Sequence, residues 1–119
     1  MRRGIRWVGV LAALLVLSSA VGRAQDAVRT IEIHAKRFSF TPSEITIRKG
    51  EQVKLLLSSS DVSHSLVIEG LHVNAEISKG HTTEVLLNPQ EAGDFPGRCG
   101  HFCGSGHGSM TFTVHVTDK

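Results

Sequence analysis

Thr30-Ile31-Glu32-Ile33-His34-Ala35-Lys36-Arg37 alternates apolar and polar side chains at each step through Lys36, the pattern of a β-strand with one face buried. The same rhythm runs outward from it. Phe38 and Phe40 extend the inward set as far as Pro42, Glu44 to Lys49 repeats it through Ile45 and Ile47, and Gly50 marks a turn. Gln52 to Ser58 turns Val53, Leu55 and Leu57 inward, and the shorter His64 to Glu69 does so with Leu66 and Ile68. Leu71 to Ile77 is irregular, Lys79-Gly80 turns into Thr82 to Leu87, and Phe95 to Cys99 leads into a glycine-rich loop. Met110 to Val116 closes the chain with Phe112, Val114 and Val116 inward. No stretch carries a helical stripe. The expectation is an all-β sandwich of about seven to eight short strands, built from antiparallel pairs that each keep one wet face.

The chain has 119 residues, enough for one domain. Arg2, Arg3 and Arg6, the apolar run Trp7 to Val21, and the small residues of Val21-Gly22-Arg23-Ala24 make a secretory leader over residues 1–24. The apolar run is shorter than the roughly 20 residues that cross a bilayer, so a membrane tie is expected only if the leader stays uncleaved. The domain is then residues 25–119, in a periplasmic or secreted setting. The whole chain carries +2, but four arginines belong to the leader, which leaves nine bases against eleven acids and a net charge of −2. Such a domain has no basic stripe for a phosphate backbone, which argues against nucleic acid.

The chemistry is concentrated in Cys99-Gly100-His101-Phe102-Cys103-Gly104-Ser105-Gly106-His107-Gly108-Ser109-Met110. Both cysteines of the chain and its only methionine besides the initiator stand here, in the order Cys-x3-Cys-x3-His-x2-Met. In an exported protein two cysteines ordinarily make a disulfide, yet a bond closing so short a loop adds little stability. His107 and Met110 point instead to metal, because thiolate and thioether beside imidazole suit copper, above all copper that spends time as Cu(I). Glycines let the loop fold back so that the donors converge. One further ligand is needed from elsewhere, and His64 in Asp61-Val62-Ser63-His64-Ser65 is the best candidate. Asp61 and Ser63 are the residues placed to orient its ring.

Phe38-x-Phe-x-Pro42, Ile45-x-Ile-x-Lys-Gly50, Asp61-Val-Ser-His64, the loop from Cys99 and a final strand together resemble a cupredoxin. The double-cysteine loop is similar to the binuclear CuA domain of cytochrome c oxidase subunit II and nitrous oxide reductase. The resemblance implies a Greek-key cupredoxin-like sandwich and two copper ions bridged by Cys99 and Cys103. It implies that His64 and Met110 complete one copper, and that His107 and the backbone carbonyl of His101 complete the other. It also implies electron transport rather than catalysis by the chain alone, as a monomer working with a redox partner such as a cytochrome c or an oxidase. Two departures stand out. Oxidase subunit II usually has an acid where His101 stands, helping to bridge to the catalytic subunit through a second metal. The residues after the leader also contain neither Trp nor Tyr, so the aromatic patch of such subunits is missing.

Two other readings remain open on the residues alone. One is a mononuclear copper held by His64, Cys103, His107 and Met110 with Cys99 idle. The other is copper storage or delivery to an oxidase under assembly, a role for which Sco-type chaperones also use Cys-x3-Cys and a histidine, on a thioredoxin-like fold. His34 and His115 fall on outward strand faces, and His72 and His81 lie near turns; all four read as surface residues. The His101 side chain is expected outside the ligand set.

Overall fold

Side chains that alternate in and out bury one face of each strand, and two such faces closed on each other make the core. The computed structural model describes residues 27–119; the expected leader lies outside them. Among the described residues nine strands form two sheets: β1 (Arg29–Lys36), β2 (Ser39–Thr41), β3 (Glu44–Arg48), β4 (Val53–Ser59), β5 (His64–Ile68), β6 (Val73–Ile77), β7 (Thr83–Leu87), β8 (Gly93–Arg98) and β9 (Thr111–Thr117). The first sheet has the order β2-β1-β4-β7 and the second β3-β9-β8-β5-β6. Ile33, Leu55 and Leu57 from one sheet meet Ile47, Leu66 and Val114 from the other, all buried. Phe40 and Phe112 cross the interior edge to face, 5.9 Å apart at 71°, an arrangement that aromatic quadrupoles favour. Among the described residues no helix is long and apolar enough to cross a membrane.

The all-β sandwich expected from the alternation is present, with three local differences. The pairings β1–β4 and β3–β9 are parallel, whereas the others are antiparallel. Alternation reports which face is buried and carries no information on strand direction, and β2 and β3 lie in different sheets, so the chain crosses the sandwich before β4 returns beside β1. Next, β1 and β2 form a tight hairpin in which Lys36 pairs with Ser39. Ile33 and Ala35 occupy odd positions and Phe40 an even one, so the turn at Arg37-Phe38 resets the parity. Phe40 is buried in the core, while Phe38 is partly buried against the core's edge, where the loop from Cys99 also lies on its ring. Finally, the stretch from Leu71 contains a regular strand, β6. A 3₁₀ turn at Glu69–Leu71 precedes it and ends on His72 with φ 55°, and those turn residues mask the alternation of Val73 and Ile77 with the exposed Asn74 and Glu76.

Candidate metal centre

The loop from Cys99 to Met110 joins β8 to β9 at one end of the sandwich. Its ends are tied directly: the Cys99 amide donates to the Met110 carbonyl at 3.1 Å. Cys99 and Met110 each lie one residue outside their strands, so this bond holds the base of the loop rather than strand membership. Within the loop a 3₁₀ turn at His107–Ser109 brings the imidazole back against Cys103, with Met110 N–H on the His107 carbonyl at 3.2 Å. Gly104 has φ +144°, a region in which side chains are strained. A Cβ at Gly106 would come within 2.5 Å of the Phe38 ring. These two glycines let the loop lie flat on Phe38.

His64 opens β5 in the same sheet and is fully buried. Its Nδ1 faces Cys99 Sγ at 3.9 Å, while its Nε2 lies 2.9 Å from Asp61 Oδ1. An ionised carboxylate can only accept, so Nε2 carries a proton and Nδ1 is the nitrogen turned to the sulfurs. Carboxylate partners of this kind fix the orientation of ligating histidines. Burial opposes ionisation of Asp61, but hydrogen bonds from the amide of Arg37, from His64, from the amide of Val62 and from the Ser59 hydroxyl outweigh it. They hold the carboxyl well below the usual carboxylate range.

All six groups singled out from the sequence come together. One donor atom from each of His64, Cys99 and Cys103 lies within 4.8 Å of the others. Cys103 Sγ is 3.7 Å from His107 Nδ1 and 3.9 Å from Met110 Sδ. The Cys99 thiol donates to the His101 carbonyl at 3.1 Å, so that carbonyl points inward while the His101 side chain turns out towards Glu76, 3.6 Å away. Both cysteines are free and buried. Burial pushes the Cys103 thiol up, and the neighbouring Cys99 adds to the effect. Of the two residues expected to orient His64, Asp61 does so. Ser65, on the other side of His64 from Ser63, supports the loop instead of the ring: its buried hydroxyl accepts the Gly100 amide at 3.0 Å. Sequence reasoning missed Ser65 and Arg37, whose Nε donates to the Cys103 carbonyl at 2.8 Å. Ser65 adjoins a ligand and was open to notice; Arg37 lies far away in the chain and carries no such signal.

The donor set of two thiols, two imidazoles, a thioether and a carbonyl is soft and closely grouped, and fits a thiophilic transition metal. A family model described as a cupredoxin-like domain matches residues 8–112. A cytochrome c oxidase subunit 2 of Thermus thermophilus is 28% identical over 89 residues, 75% of this chain and 66% of the relative. Among solved structures, the periplasmic domain of subunit II of cytochrome oxidase (CoxB) of Bradyrhizobium japonicum superposes with a TM-score of 0.70. Its identity is 17%, over 76% of this chain and 85% of that one. A chain of a heme-copper terminal oxidase dimer gives a TM-score of 0.69 and 25% identity, over 79% of this chain and 68% of that one. The chain therefore belongs to the cupredoxin-like family. Within that family it is related to cytochrome c oxidase subunit 2, as the loop from Cys99 suggested. It spans 66% and 53% of the length of two Thermus thermophilus relatives, two thirds or less of each.

Proposed function

We propose that this chain is an exported electron carrier whose site holds two copper ions between Cys99 and Cys103. His64 and Met110 complete one copper, and His107 with the His101 carbonyl completes the other. The observation that carries the reading is the pair of free, buried thiols within 4.8 Å of each other and of a His64 donor nitrogen, with His107 and Met110 against Cys103. With two sulfurs so close, Cys99 and Cys103 would both hold the metal and supply it with anionic donors. Copper, when bound, supplies a one-electron couple. The chain keeps the donors still: Asp61 fixes the His64 ring, Ser65 and the Cys99–Met110 bond fix the loop, and the packed strands fix both. Donors that move little lower the reorganisation attending electron exchange, and rigid elements hold them most reproducibly. Met110, a weak neutral donor, tunes the potential more than it binds. The natural partners are a cytochrome c or a terminal oxidase on the outer side of a membrane, with the chain itself doing no catalysis.

Metal analysis and electron spin resonance on protein reconstituted under reducing conditions test this. The expected result is two coppers per chain and hyperfine structure from one electron shared over two nuclei. One copper with an ordinary single-nucleus signal would replace the binuclear centre by a mononuclear one. Ready loss of Cu(I) to a chelator during redox cycling would favour copper delivery.

A further inference from the structure

We propose that Arg37 and Asp61 form a clamp that positions the two ligand-bearing segments against each other before metal arrives. His64 and the loop from Cys99 come from distant parts of the chain. Ser65, next to His64, ties the start of the loop through the Gly100 amide at 3.0 Å, and two further routes connect the segments. One runs through the donor cluster, where His64 Nδ1 faces Cys99 Sγ at 3.9 Å. The other runs behind it. His64 Nε2 is held by Asp61 Oδ1 at 2.9 Å, Asp61 Oδ2 accepts the Arg37 amide at 2.7 Å, and Arg37 Nε donates to the Cys103 carbonyl at 2.8 Å. The β1–β2 turn that carries Arg37 also presents Phe38, against which Gly104 and Gly106 lie. Asp61 is secured independently by the Val62 amide at 2.7 Å and the Ser59 hydroxyl at 3.1 Å. One turn thus grips both ligand segments: the first by its backbone amide, the second by its guanidinium and aromatic ring.

A site linked only through its metal would be loose when empty. Here the hydrogen-bonded route uses none of the donor atoms, so those atoms are expected to be placed in advance and the ordering cost of binding reduced. Arg37 is a positioning residue; it contributes no donor atom.

The test is Arg37→Met, which keeps the aliphatic stem and removes the bond to Cys103. Lys54→Met is the control for loss of one positive charge, since Lys54 on β4 pairs with Glu84 on the adjacent β7 and touches neither ligand segment. Residue-resolved amide exchange on the metal-free chain is the first readout. Loss of the bond from this charged donor should let the loop open more often, so Arg37→Met should speed exchange of the His107, Ser109 and Met110 amides by about tenfold. Core amides of β1 and β4 should keep their wild-type rates. The second readout is Cu(I) affinity by competition with a chromophoric chelator, expected to fall by about tenfold in Arg37→Met and not in Lys54→Met. Wild-type loop exchange in Arg37→Met, unchanged Cu(I) affinity, or equal losses in Lys54→Met would each overturn the clamp. The second readout rests on the copper reading above and the first does not. A wild-type chain that takes up no Cu(I) sinks that reading, while loop exchange still decides for or against the clamp.

Discussion

Two histidines at opposite places in the same sheet make nearly the same contact and come to different ends. His64 Nε2 lies 2.9 Å from Asp61, and His115 Nδ1 lies 2.6 Å from Asp94. His64 is sealed from solvent, with 0% of its side chain exposed, and its second nitrogen faces a thiol. His115 is 35% exposed on the outer face, and its second nitrogen faces another carboxylate, Glu44, at 3.7 Å. A carboxylate beside an imidazole therefore says little by itself. The group on the far side of the ring, and the water it meets, decide whether the histidine is placed to bind metal or makes a surface ion pair.

The sharpest way to break this contrast is to remove what His64 faces. Cys99→Ser takes away one of the two sulfurs of the proposed centre and puts a harder oxygen in its place, so the proposed two-copper species should not form. Copper per chain and the spin resonance spectrum read the outcome. If stoichiometry and spectrum are unchanged, Cys99 is idle and His64 faces a bystander.

Next in size is the seat of the loop. Gly106→Ala places a methyl 2.5 Å from the Phe38 ring, and φ −89° at Gly106 is open to alanine, so the penalty is steric rather than conformational. Overpacking of this kind costs about 1–3 kcal/mol, which thermal unfolding of the metal-free chain should show. Gly108→Ala is the matched comparison, because a Cβ there meets nothing within 4 Å. Equal losses in the two variants would mean that Phe38 does not seat the loop.

Much of the site was legible in advance because its donors are rare residue types at short spacing: all the sulfur after the initiator falls within one loop. His64 was legible through its setting beside Asp61. The parts that stayed hidden are those whose residue type carries no chemistry of its own. Arg37 reads as one more surface charge, and its bond to Cys103 spans 66 positions. Ser65 reads as an ordinary strand residue until the loop folds over it. The fold shows the same division. Alternation gave the buried face of nearly every strand, yet it left open the parallel pairings of β1 with β4 and of β3 with β9, because direction is set by how the chain crosses between sheets.

A smaller effect is expected at Met110. It is fully buried against Cys103, and leucine has nearly the same volume, so Met110→Leu should cost less than about 1.5 kcal/mol in stability. The two-copper species should persist with an altered reduction potential, since only the weak thioether donor is lost. Voltammetry of the variant beside the wild type measures this. An unchanged potential would remove Met110 from the ligand set and leave it a core residue.

The smallest effect belongs to His115, and its sign follows from its neighbours. The hydrogen bond to Asp94 raises its pKa from the ordinary imidazole value near 6.5; desolvation opposes the rise, and the charges of Asp94 and Glu44 add to it. A raised value means that the folded state binds the proton more tightly than the unfolded one. The stabilisation is thus fully present below about 6.5 and fades as pH climbs through the elevated folded value. The three residues stand on β9, β8 and β3, so the charged imidazole ties neighbouring strands. His115→Gln should remove that dependence while leaving the copper site intact. Melting curves of the metal-free wild type and variant should differ at low pH and converge as pH rises. A gap that widened with rising pH would show that the outer-face histidine is held neutral, and the contrast with His64 would then rest on burial alone.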